Sequence, residues 1–443
     1  MSVVLYRLDR VLPWLIGVFM LLSGALLAAC GGGGSSNTPT PPAITTQPAD
    51  QSVTAGANAA FSVAATGPSL AYQWQSSPNG TTWSDVAGAT SATLTLPAVA
   101  IADSGKRLRV VVSNSDGTAT SNPALLTVNA APAQFTALTA TLITGRADHA
   151  AALLANGQVL ITGGFATATL APDPGLNTAE LYNPATNAFT SVTGTMRVRR
   201  TNHNATLLAD GKVLLSGGQD NNGGDGLASA ELYDPATQTF SAIAAAMTSP
   251  RGGHGAALLP DGKVLLVGGF NNSSVSLNSA ELFDPATQTF TAIAATTTSR
   301  RSEFTATVLP NGKVLLAGGG SSTTSYTSAE LYDPATQTFG ALSAVMSAAR
   351  EAGGASLLPS GRVLLSGGGT LGSNPPSTIV ALDSADVYDP TAQTFTAAAT
   401  MTARRLAHTQ TLLNSGAVLL VGGGNLDANG ALVILRSAEI YGP

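Results

Sequence analysis

From about residue 43 onward the chain is written in short runs where apolar and polar side chains alternate: AAFSVAAT, LAYQWQSS, ATLTLPAV, LRVVVSN and ALLTV. Alternation of this period puts every second side chain on one face of a strand, and turn residues such as Asn79-Gly80 separate the runs, so a β-sandwich is predicted over 43–130. Beyond it the alternation recurs in a larger pattern with a period of about fifty residues. Aligned on one arginine, ADHAAALLANGQVLITGG, TNHNATLLADGKVLLSGG and GGHGAALLPDGKVLLVGG follow Arg146, Arg200 and Arg251. SEFTATVLPNGKVLLAGG, EAGGASLLPSGRVLLSGG and LAHTQTLLNSGAVLLVGG follow Arg301, Arg350 and Arg405, which makes six units.

Each unit predicts a strand, a two-residue turn at dipeptides such as Asn156-Gly157, Asp210-Gly211, Asp261-Gly262 and Asn311-Gly312, and a second strand ending in Gly-Gly. A variable loop and a third strand (AELYNP, AELYDP, AELFDP, AELYDP, ADVYDP, AEIYGP) come next, and a fourth strand opens at Phe189, Phe240, Phe290, Phe339 and Phe395. Four antiparallel strands per unit make one blade of a β-propeller. The sixth unit stops at Pro443 without a fourth strand, and Ala133 to Leu138 reads like the missing piece. Residues 134–139 are therefore expected to complete that blade and close the ring. The predicted fold class is all-β, a sandwich followed by a six-bladed propeller over 133–443.

Composition supports an ordered chain. Of the 443 residues 44% are hydrophobic and 10% charged, which excludes a disordered polymer, and the net charge of -5 lacks the basic surface that nucleic acid requires. The N-terminus differs: Arg7 and Arg10 precede an apolar run from Val11 to Ala28 and then Cys30, the layout of a secretory signal over 1–29. Residues 30–42 read as a Gly/Ser/Pro tether. Cys30 is the single cysteine, so no disulfide, thiol nucleophile or thiolate metal site is expected.

Several of these motifs resemble known families. Leu27-Ala28-Ala29-Cys30 resembles a bacterial lipobox, which implies lipidation of Cys30, with Gly31 after it leaning towards the outer membrane. The 43–130 segment resembles an immunoglobulin-like domain: Trp74 stands where the strand C tryptophan belongs, and Asp103-Ser104-Gly105 precedes LRVVVSN. Val63 and Val110 hold the two cysteine positions and Leu108 the corner tyrosine, so packing alone must hold that domain. The repeats resemble kelch and galactose-oxidase-type propellers, on paired glycines, a Tyr (Phe283 in the third unit) and a following Phe in place of the common Trp. The copper chemistry of such oxidases needs a cysteine-crosslinked tyrosine that this chain cannot supply.

Candidate chemistry lies in the repeats. All four histidines, His149, His203, His254 and His408, share one repeat position; Phe304 and Gly353 fill it elsewhere, so packing is favoured over a metal ring, and no metal or other cofactor is expected. Each aligned arginine (Arg146, Arg200, Arg251, Arg301, Arg350, Arg405) has an acid in its unit, Glu180, Glu231, Glu281, Glu330, Asp386 or Glu439. A stitching Arg–carboxylate pair is the favoured reading, with a cationic channel rim as the other. The extra arginines Arg199, Arg300 and Arg404 lack an obvious repeated acid and are the candidate binding rim. Asp220 to Asp225 faintly resembles a calcium loop without a closing Glu. Asp148, Glu303 and Glu351 are candidate carboxylates near the rim. Acids with raised pKa at one mouth would favour an enzyme; acids taken up in arginine pairs would favour binding. The expectation is a non-enzymatic, membrane-tethered monomer in which the sandwich acts as spacer and the propeller's variable loops engage a glycan or protein. A polysaccharide hydrolase or lyase on the same face is the alternative.

Overall fold

A computed structural model describes residues 38–167, 175–220, 226–321, 323–371, 379–427 and 431–442. Cys30, its signal-like leader and residues 221–225 of the calcium-like loop lie outside the described residues. The chain divides into two units, Met1–Asn129 and Ala130–Pro443.

In the first unit the largest sheet orders its strands Gln51–Thr54, Ala124–Asn129, Arg107–Asn114, Ala71–Ser77 and Ser84–Asp85, with Gly117–Thr120 paired to Arg107–Asn114. Ala59–Ser62 pairs with Thr93–Leu96, and Ala43–Thr46 with Ala64–Thr66. Between them lies a core of Phe61, Val63, Trp74, Leu108, Val110 and Leu126. Trp74 is wholly buried, and its indole N–H donates to the Ser91 carbonyl at 2.9 Å. Val63 and Val110 fill the same core with hydrocarbon. The one helical turn among the described residues is Ile101–Asp103.

Among the described residues the second unit holds six antiparallel blade sheets, five of four strands and one, the fourth, with a short fifth strand, Thr324–Ser325. The first runs Ala150–Leu153, Val159–Thr162, Ala179–Asn183, Ala188–Ser191 from the inside outward, and the following units repeat this order. In the sixth, Thr409–Leu412, Val418–Val421 and Ser437–Gly442 are joined on the outside by Gln134–Thr141, with Phe135 opposite Tyr441. The six innermost strands neighbour one another in a circle, the last against the first. Second strands such as Val213–Ser216 are buried along their whole length, because both faces meet an adjacent sheet. Each core is accordingly shared between blades: Leu160 and Leu181 of the first pack with Val213, Leu215 and Tyr233 of the second. On the outer pair of each blade a ring faces a ring, Tyr182 against Phe189 and Phe135 against Tyr441 alike at 4.8 Å.

The inner turns differ from the two-residue expectation. The Leu154 amide donates to the Gln158 carbonyl and the Gly157 amide to the Leu154 carbonyl, so three residues form the loop. Only the glycine has positive φ, +82°, while Asn156 turns its side-chain oxygen to the Gln158 amide at 3.0 Å. This is a turn ending in a left-handed glycine, to which Asn contributes as a local acceptor.

Candidate functional site

The aligned arginines are internal. Arg251 is wholly buried, as are Arg200 and Arg301. Its Nε donates to Glu281 Oε1 at 2.8 Å, its Nη1 to the Gly268 and Ser279 carbonyls, and its Nη2 to Ser279 Oγ. The other carboxylate oxygen, Oε2, accepts from the Thr248 amide and hydroxyl, pinning the connection that leads into the blade. The same clasp recurs at Arg146–Glu180, Arg200–Glu231, Arg301–Glu330, Arg350–Asp386 and Arg405–Glu439. The repeat acids are therefore consumed within the scaffold, and these six arginines form no rim.

The glycine pairs belong to the same device. The second glycine of each pair donates its amide to the arginine carbonyl of the next blade, from Gly164 to Arg200 and, across the first and sixth blades, from Gly423 to Arg146. A Cβ on Gly217 would stand 2.3 Å from the Arg251 carbonyl oxygen, so the blades approach only where no side chain intervenes.

Two residues after each aligned arginine the chain turns into the channel. Asp148, Asn202, Gly253, Glu303, Ala352 and Ala407 all have φ between +50° and +57°. Each donates its backbone N–H to the carbonyl of its counterpart one blade back: Asn202 to Asp148 at 2.9 Å, Gly253 to Asn202, Glu303 to Gly253, Ala352 to Glu303, Ala407 to Ala352, and Asp148 to Ala407 at 3.0 Å. Six hydrogen bonds thus run head to tail around the axis. Left-handed backbone at five non-glycine residues costs roughly 1 kcal/mol each and persists only where surrounding structure fixes it. The belt supplies that fixation.

Within the belt is a cavity of about 110 Å³, lined by Asp148, Asn202, Glu303, Ala352 and Ala407 with the histidines beneath. Nothing cationic pairs with its acids among the described residues. Burial pushes Asp148 up to about 7, against the pull of an Asn202 hydrogen bond. Burial, then the charges of Asp148 and Glu351, push Glu303 up to about 8. Glu351 is raised as well, by burial.

The histidines are locked into the scaffold. His149 Nε2 lies 2.9 Å from Thr409 Oγ1, His203 Nε2 2.9 Å from Thr162 Oγ1 and His254 Nε2 3.0 Å from Ser216 Oγ, each partner on the preceding blade. Burial, with the adjacent arginine, holds His149, His254 and His408 down to about 3, so their rings are neutral.

The variable loops leave the sheets at this same mouth, because their first residues bridge to the belt segments: Phe165 to Ala147, Gln219 to Thr201, Phe270 to Gly252, Gly369 to Glu351, Gly424 to Leu406. In the fifth and sixth blades they form hairpins, Gly369–Leu371 with Ile379–Ala381 and Gly424–Leu426 with Leu432–Ile434. These adjoin and expose Ile379, Val380 and Val433. The extra arginines are exposed near these loops. Arg199 donates to the Gly175 carbonyl, Arg300 to the Ser276 carbonyl at 3.1 Å, and Arg404 faces Asp383 at 3.5 Å. The last of these does have an acid partner, from a loop rather than from the repeat.

Comparison with known proteins adds the following. The KLHDC2/KLHL20/DRC7 Kelch-repeats domain matches residues 110–319, and a domain family of unknown function, DUF8696, matches residues 43–130. Over 94 residues the chain is 45% identical to Endoglucanase C of Cellulomonas fimi, a match covering 21% of this chain and only 8% of that enzyme. The solved structure of YjhT superposes with a TM-score of 0.56 at 13% identity, over 68% of this chain and 95% of YjhT, which speaks to fold alone. Sheet order, paired glycines and the likenesses to the Kelch-repeats domain and to YjhT agree: the 130–443 unit is a β-propeller similar to the kelch type.

Proposed function

We propose that this chain is an extracytoplasmic binding protein, tethered to the membrane through lipidated Cys30, whose propeller recognises a glycan on its loop-bearing face. A kelch-type propeller points to a binding or sugar-related role. The observation that carries the glycan reading is the mouth itself: Asp148, Asn202 and Glu303 are polar side chains left over after the scaffold has satisfied its own charges. Protonated carboxyls and an amide hydrogen-bond well to hydroxyls, and polar loops surround them. The partial likeness to an endoglucanase agrees with a glycan setting.

Hydrolysis is the second reading, favoured by the raised pKa values of Asp148 and Glu303, which would supply a general acid and its partner. Binding stands first because six of the propeller's acids, one per blade, are taken up in arginine pairs rather than gathered at the mouth. The purified chain is to be titrated with neutral and acidic polysaccharides while reducing ends are assayed. Binding without product, weakened in Asp148→Asn/Glu303→Gln, is the expected result. Release of reducing ends would replace it with the hydrolase, and loss of binding only in Arg199→Ala/Arg300→Ala/Arg404→Ala would move recognition to the arginines. For the tether, Cys30→Ala is expected to abolish labelling by radioactive palmitate and free the protein from the membrane fraction; unchanged labelling would refute it.

A further inference from the structure

The belt settles which hydrogen-bonding groups the mouth offers. All six backbone N–H groups around the axis are spent on neighbouring carbonyls. What lines the cavity beside the belt is the carboxyls of Asp148 and Glu303 and the amide of Asn202, which already bonds Asp148. Beneath them His149, His203, His254 and His408 line the same cavity, each more than nine-tenths buried and each with Nδ1 lacking a hydrogen-bond partner. Asp148 and Glu303 stand across the ring from one another; on one side the lining between them is apolar, Ala352, Gly353 and Ala407, and above these rise the hairpins carrying Ile379, Val380 and Val433.

Resting on the glycan reading, we propose that the mouth of the channel is an ammonium site, and that its ligand is a glycan bearing free amino groups, a de-N-acetylated amino sugar. A primary ammonium carries three donors and no acceptor, the complement of this lining, and its charge supplies the partner that Asp148 and Glu303 lack. The setting agrees, since the cavity opens on the loop-bearing face, beside the apolar hairpins. Burial without a cation also explains why both carboxyls are held towards their neutral forms, a state that an incoming ammonium would reverse.

Calorimetry on the purified full chain tests this with four probes: a glucosamine oligosaccharide, its N-acetylated counterpart of equal length, a cello-oligosaccharide and a lysine-containing peptide. The free-amine oligosaccharide is expected to bind about thirtyfold or more tightly than the acetylated one, the loss that accompanies removal of one partner from a buried charge pair. Glu303→Gln, which keeps the backbone belt and the side-chain shape, is expected to bring the two sugars level while its melting temperature verifies folding. Equal binding of acetylated and free-amine sugars to the unaltered chain overturns the ammonium site and leaves the glycan reading standing. Binding of the peptide with no sugar bound keeps the ammonium site and overturns its sugar ligand together with the glycan reading. No binding by any probe overturns both.

Discussion

At the scale of the residue, this propeller separates two kinds of charge by what surrounds them. Six arginines meet six acids under full burial, with nearly every guanidinium N–H assigned to a carboxylate, a hydroxyl or a carbonyl. Removing one partner leaves the other charged and uncompensated in the interior. Glu281→Gln is expected to lower the unfolding free energy of the propeller by about 3–5 kcal/mol, to be measured by urea titration; a loss below about 1 kcal/mol would mean the pair is not a structural clasp. This clasp was legible in the sequence, since an arginine and an acid recur once per unit. The mouth was not. Position by position it reads Asp148, Asn202, Gly253, Glu303, Ala352, Ala407, with no repeated residue type to mark it. Glu and Ala disfavour left-handed backbone, so nothing local announces the turn that only the belt's hydrogen bonds enforce. Asp148 and Glu303 stood out only for lying near the rim, and their environment is a product of tertiary structure.

At the scale of the element, the strands follow the alternation and the blades follow the repeat. The turns are where local reading fell short, because a dipeptide signal does not fix loop length: Asn156 serves as acceptor and Gly157 alone goes left-handed. The sixth sheet brings together residues about three hundred positions apart, and its outer seam is the Phe135–Tyr441 pair. Phe135 is 7% exposed and packs with Leu364, Val418 and Leu420. Phe135→Ala is expected to cost about 3–5 kcal/mol and to raise aggregation by loosening the strand that covers Ser437–Gly442. Light scattering during thermal unfolding checks this; a variant as stable and soluble as the parent would show that the seam contributes little.

At the scale of the whole molecule, the two sets of shifted groups oppose each other across pH. Histidines held at about 3 in the fold protonate first in the unfolded chain, so their contribution is complete above about pH 6.5 and is lost as pH falls towards 3. Asp148 and Glu303, raised to about 7 and 8, work the other way: their contribution is present below about pH 4 and is lost as pH rises through those values. With several histidines set against two acids, melting temperature is expected to climb from pH 4, pass a maximum near pH 6.5–7 and decline towards pH 8.5. Asp148→Asn/Glu303→Gln should flatten the upper limb and steepen the climb below it. A decline of equal steepness in that variant would assign the upper limb to other groups.

The head-to-tail belt around the axis has one more consequence. Peptide dipoles arranged in a circle add up to no net vector, unlike those along a helix, so the scaffold imposes no pole of its own on the channel mouth. The side chains at the six equivalent stations are therefore what varies its potential from blade to blade. Since the belt is made by backbone, a side chain at any station could be exchanged without breaking a bond in it. A propeller built this way resembles a dial with six independent settings, and neighbouring sequences could pass from acidic to neutral to basic mouths by single substitutions while the blades stay as they are.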